Sequence, residues 1–253
     1  MRIWRSTLGR SPYCGGREER KVRRFILGAF ALVIVSSTAA AATAKQFPSA
    51  SHRCPVPDSG TCLGVLTAGA HSSGSFRPKL SFRVPARWAN YLDIPGLYVL
   101  QPPGAKPPGD SIAGNFIGLE TRVAAEANDC QSHANGVGTT PTAIANWMAK
   151  QHDLAVSQRH AVTVGGLHGI ALNVKMARGA KGCLSAGATV PAAPLLVGIG
   201  PSSFDHEVAP RTDERHYLLA YKGGTLDIQM VDTSGGRHLA SYAAIVSTFR
   251  FSP

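Results

Sequence analysis

The chain has 253 residues and a formal net charge of +11. Beyond its first 44 residues the cations are scattered, with no Lys/Arg run, which excludes the basic stripe of a nucleic-acid binder. The part left for folding, about 175 residues, is long enough for a single core.

The N-terminus reads as an export signal. Residues 1–44 hold 8 Lys/Arg and 2 Asp/Glu, and the remaining 209 carry 18 basic and 13 acidic side chains, net +5. Lys21-Val22-Arg23-Arg24 precedes the apolar run Phe25–Val35, broken only by Gly28, and Ala42-Thr43-Ala44 supplies an A-x-A exit. Basic, apolar and small-residue regions in that order make a secretory signal peptide. The mature chain is therefore expected to begin near Lys45, in the secreted fraction or cell envelope. The alternative is an uncleaved anchor, since Phe25–Ala44 has about the length that spans a bilayer. Its second half is mostly Ala, Ser and Thr, which favours cleavage. No Cys follows at lipobox distance, so a lipid anchor is not expected.

Four cysteines remain after residue 44: Cys54, Cys62, Cys130 and Cys183. An even number in an exported chain implies disulfides, and four Cys allow three pairings. Cys54 and Cys62 enclose a turn-rich loop able to close on itself. Cys130–Cys183 is then the second expected bridge.

Residues 45–78 are rich in Ser, Pro, Gly and Ala and read as a linker with one stapled loop. The globular domain is expected over 79–253. Leu80, Phe82 and Val84 alternate as a strand that Pro85 and Trp88 end, followed by strands at Gly96–Leu100 and Phe116–Val123. Asp129–Gly138 is a polar loop. Thr140 and Pro141 then open a helix with Ile144, Trp147 and Met148 on one face. After a short polar break, Ala161–Val164 and Leu167–Met176 flank Gly165-Gly166 as a hairpin. Gly179–Pro194 is a loop, Leu195–Ile199 a short strand and Ser202–Arg215 a charged loop. His216–Tyr221 and Thr225–Val231 form a second hairpin. In its return strand Leu226, Ile228 and Met230 face one side, and Thr225, Asp227 and Gln229 the other. Leu239, Tyr242, Ala243 and Val246 mark a final helix, with Phe249 and Phe251 closing the chain. This order predicts an α+β fold: a single antiparallel sheet flanked by helices.

Motifs for chemistry are mostly missing. The chain has no G-x-S-x-G elbow, no H-E-x-x-H, no Walker loop and no G-x-G-x-x-G opening a helix. Its nine His are scattered, without a helical i, i+4 pair or zinc-type Cys/His spacing, so neither a metal nor a cofactor is expected. One segment is denser: Asp205-His206-Glu207, followed by Arg211, Asp213, Glu214, Arg215 and His216. A His between carboxylates can titrate, bind a cation or orient a ligand. Its simplest reading is a solvated loop with compensating charges.

From Phe82 to Phe251 the chain resembles exported actinobacterial proteins and lipoproteins of the PsbP/Mog1-like kind. The residues that carry this are Phe82-Arg-Val-Pro-x-x-Trp88, the helix from Pro141 through Trp147, Val162-Thr-Val-Gly-Gly-Leu167, the Tyr221-Lys-Gly-Gly-Thr-Leu226 hairpin and Ser-Thr-Phe-Arg-Phe251. The resemblance implies an antiparallel sheet sandwiched by helices and no catalytic motif. The expectation is a non-enzymatic module that binds an envelope protein or a small ligand, and no nucleic acid. Membrane contact is expected only if residues 25–44 stay uncleaved. The alternative is a secreted hydrolase with Asp205, His206 and Glu207 as its acid–base site.

Overall fold

The computed structural model describes residues 61–105, 114–184, 190–199 and 205–253. The export segment, Cys54 and the side chain of Cys62 lie outside what is described, and the Cys54–Cys62 bridge with them.

In chain order the elements begin with β1 (Thr61–Val65), β2 (Gly69–Ser72), β3 (Lys79–Val84), β4 (Ala89–Ile94), β5 (Leu97–Gln101), β6 (Phe116–Thr121) and β7 (Val123–Ala125). Then come α1 (Pro141–Met148), β8 (Leu154–Val164), β9 (Leu167–Met176), β10 (Ala193–Gly198) and β11 (Asp205–Val208). β12 (Asp213–Tyr221), β13 (Gly224–Asp232), α2 (Leu239–Val246) and β14 (Arg250–Ser252) complete the domain. The strands make three antiparallel sheets: a central one, β1-β4-β5-β6-β13-β12-β9-β8, and two small ones, β11-β10-β7 and β14-β3-β2.

The expected single sheet flanked by helices is therefore corrected to a mainly β fold. Each face of the central sheet is covered by one small sheet and one eight-residue helix. On one side Tyr98, Leu119, Leu219, Ile228 and Met230 pack under Leu80, Phe82, Tyr242 and Val246. On the other, Leu172, Val174 and Leu218 pack under Ile144 and Met148 of α1 and Leu195, Leu196 and Val208 of the β10–β11 sheet. On this second face the short strands β7, β10 and β11 share with α1 the covering that helices alone were expected to do. Buried on both sides, β10 shows no alternation of apolar and polar residues from which its role could be read. β1 and β2 fall inside the stretch read as linker, and β4 begins right after Trp88, where a strand was expected to end.

The turn chemistry follows the residues. Lys222 and Gly223 both have positive φ, 46° and 77°, and they join Tyr221 to its partner Gly224 as a two-residue hairpin turn. Gly165 and Gly166 do the same between Val164 and Leu167. A Cβ on Gly165 would stand 2.7 Å from the Phe251 ring, so the C-terminal strand packs where only hydrogen fits. Thr140 caps α1, its Oγ1 accepting from Ala143 N at 3.3 Å. Asp93 on β4 accepts from the backbone of Gly74, Ser75 and Phe76, at 2.5, 3.0 and 2.8 Å. It ties the β2–β3 loop to the central sheet.

β8 has no polar break; it runs on through Ser157–Ala161 with those side chains exposed. Polar residues suit it because it is the sheet's edge. Its ladder to β9 slips between Ser157 and His160, a bulge with Gln158 at φ 51°. Gln158 Oε1 accepts from Asn173 Nδ2 at 3.1 Å and Arg215 Nη2 at 3.3 Å, which pins the bulge across three strands. Among the described residues no helix is long and apolar enough to cross a membrane.

Candidate functional site

The charged loop expected over Ser202–Arg215 is, where described, two strands carrying a buried polar cluster. Strand alternation splits the predicted trio. His206 turns inward and is 6% exposed, Asp205 is exposed, and Glu207 lies half-buried on the other side of β11. What His206 meets is β12. Its Nε2 lies 2.7 Å from Glu214 Oε2, and His216 Nε2 lies 3.0 Å from the same oxygen. His216 Nδ1 reaches Asp227 Oδ2 on β13 at 3.0 Å. Glu214 and His216 share a face because they are two apart on one strand. Asp227 belongs to the polar row Thr225-Asp227-Gln229, which is buried beneath the β10–β11 sheet.

The electrostatics follow from this burial. Desolvation alone would raise the Glu214 carboxyl, but the charge and hydrogen bond of His206, with those of His216, pull it down to about 2. Desolvation would likewise lower His216, yet Asp227 and then Glu214 hold its imidazolium up to about 10. The cluster is a chain of alternating imidazoles and carboxylates: His206, Glu214, His216, Asp227.

A second acid sits behind β11. Glu126, wholly buried, accepts from Leu195 N through Oε2 at 3.0 Å. Its Oε1 and Glu207 Oε1 have no hydrogen-bond partner among the described residues. Burial raises the Glu126 carboxyl most, the Leu195 N–H offsets part of that, and Glu207, Asp205 and Asp129 add to it, leaving the group at about 8. It therefore carries a proton at neutral pH. Cys130 Sγ lies within 4.8 Å of both carboxylates, but it is bonded to Cys183, with 5.8 Å between the Cα atoms, and offers no thiolate. That bridge is the predicted one, spanning α1 and the β8–β9 hairpin.

A groove of about 630 Å³ opens elsewhere, at the β12–β13 turn. Arg77, Arg122 and Lys222 line it, with Tyr221, Thr139 and Ile199, and among the described residues its lining contains no carboxylate. None of His206, Glu214 and His216 belongs to it.

Neither a family model nor a curated relative matches the chain. Among solved structures it is similar to the solution structure of cyanobacterial PsbP (CyanoP) from Synechocystis sp. PCC 6803. The two share 12% identity at a TM-score of 0.37, over 76% of this chain and 98% of that one.

Sequence reasoning named His206, Glu214 and His216 within one segment but placed them in water. The usable signal was the spacing Glu214-x-His216, which puts an acid and a base on one face of a strand. Asp227 gave no such signal, because a polar row on a strand reads as solvent-facing until its cover is known.

Proposed function

We propose that this chain is an exported, non-enzymatic module that binds a small anionic ligand at the cell envelope. The supporting observation is the groove at the β12–β13 turn, with Arg77, Arg122 and Lys222 around it and no acid among the described residues of its lining. All three cations are exposed, and Lys222 Nζ stands 5.3 Å from the Tyr221 ring centroid. Cations beside an apolar wall of Tyr221 and Ile199 suit a carboxylate or phosphate with an apolar body. Its likeness to exported actinobacterial proteins and lipoproteins belongs to the same proposal, as does cleavage after Ala44. The hydrolase alternative draws less support, because Asp205 and Glu207 point away from His206 and the buried cluster does not line the groove.

Thermal-shift screening of the purified protein against small carboxylates and phosphates tests the binding reading. A compound that raises the melting temperature of the wild type, but not of the Arg122→Glu, Lys222→Glu double variant, supports it. Equal shifts in both proteins, or none with any compound, count against it. N-terminal sequencing of the protein recovered outside the cytoplasmic membrane tests export; a chain retaining Phe25–Ala44 is anchored instead.

A further inference from the structure

We propose that His206, Glu214 and His216 form a binding site for a divalent transition-metal cation of the zinc class, enclosed between the central sheet and the β10–β11 sheet. The proposal is independent of the anionic groove. The three donor atoms, His206 Nε2, Glu214 Oε2 and His216 Nε2, all lie within 4.8 Å of one another. They arrive from two different sheets, so the site exists only in the folded chain. Two imidazole nitrogens and a carboxylate oxygen are the donor set that borderline cations prefer over calcium or magnesium. Zinc holds such donors at about 2.0–2.2 Å. Donors on a tetrahedron of that radius stand roughly 3.3 Å apart, by simple geometry from the same bond lengths. The observed 2.7 and 3.0 Å separations need to widen by only a few tenths of an ångström.

The surroundings match a metal site beyond the donors. Asp227 Oδ2 takes the Nδ1 side of His216, which is how a second carboxylate orients a ligating imidazole, and the metal takes the place of the Nε2 proton, released on binding. Asp227 Oδ1 has no hydrogen-bond partner among the described residues. Glu120 on β6 stands directly opposite Asp227 in the ladder, and both are buried, 2% and 1% exposed. Phe116 sets its ring edge-on to His206, centroids 6.2 Å apart, and forms an apolar wall. Gln229, the cross-strand partner of His216, keeps a buried amide oxygen without a partner among the described residues. Three protein donors leave a fourth position open to another ligand.

Metal titration of the full chain, stripped with chelator, is the experiment. Cobalt(II) should bind one equivalent with the visible absorption of a low-coordinate N/O site, and zinc should displace it. His206→Gln and Glu214→Gln should each weaken zinc binding at least tenfold, and Asp227→Asn, a positioning change, by 10- to 100-fold. The exposed His168→Gln should change nothing. No stoichiometric binding by the wild type, or unchanged affinity in His206→Gln, overturns the proposal. Should the variants fail to fold, X-ray absorption on the zinc-loaded wild type decides. Two imidazoles in the coordination shell support the site, and fewer than two refute it.

Discussion

His216 meets Asp227 through Nδ1 at 3.0 Å, with both side chains out of water. A buried charge left alone costs far more than a pair contributes. Asp227→Ala is therefore expected to destabilise the domain by about 3–5 kcal/mol in urea unfolding. Asp227→Asn should cost less, because its amide oxygen still accepts from Nδ1. A near-neutral Asp227→Ala would mean the pair is not formed in solution.

Glu126 makes stability depend on pH in the opposite sense to an ordinary carboxylate. The folded protein holds its proton up to about 8, whereas the unfolded chain releases it near 4.5. Between those values the unfolded state has the fewer protons, so stability falls as pH rises through the window and levels above about 8. Glu126→Gln keeps an acceptor for Leu195 N–H and removes the ionisation. The variant should match the wild type near pH 4 and exceed it at pH 8 in melting temperature. A constant difference at both pH values would show that Glu126 does not titrate in this range.

Asp232 behaves conventionally. Burial would raise its carboxyl, but the Ser234 hydroxyl and the N–H groups of His238 and Ser234 hold it below its ordinary value of 3.8. His238 N donates to its Oδ2 at 2.6 Å, in place of a side-chain cap on α2. Its stabilisation is complete above pH 4 and is lost as pH falls through the lowered value. Asp232→Ala should lower the melting temperature at pH 7 and make progressively less difference in acid. An unchanged melting temperature at pH 7 would remove Asp232 as the cap.

The Cys130–Cys183 bridge joins residues 53 apart. Loop entropy for that span corresponds to about 4 kcal/mol. The double variant Cys130→Ser, Cys183→Ser should lower the melting temperature far more than Cys54→Ser with Cys62→Ser. Peptide mapping that joins Cys54 to Cys130 or Cys183 would refute the pairing.

What could be read from the residues was what neighbours in sequence decide. Thr140-Pro141 announced α1, and Gly165-Gly166 and Lys222-Gly223 announced the hairpins, because capping and positive φ are local requirements. The covering of the polar row Thr225-Asp227-Gln229 is not local. It depends on β10, which is buried on both sides and carries no period, and on β11, which is only four residues long. His206 was visible as part of a charged segment, but its partners Glu214 and His216 become its neighbours only when β11 folds over the central sheet. The same gap explains the misplaced architecture: helices alone were expected to cover a sheet that two helices and two small sheets cover together.

The bulge at Gln158 has a consequence for molecules meeting one another. β8 is eleven residues long and lies at the open edge of an eight-stranded sheet, where unpaired N–H and C=O groups invite another chain. The extra residue bends that edge, and Asn173 and Arg215 hold the bend in place. Removing Gln158 would straighten the strand into an uninterrupted template, on which a second copy could extend the sheet. Deleting Gln158 is therefore expected to promote self-association through that edge, visible as a larger species in size-exclusion chromatography.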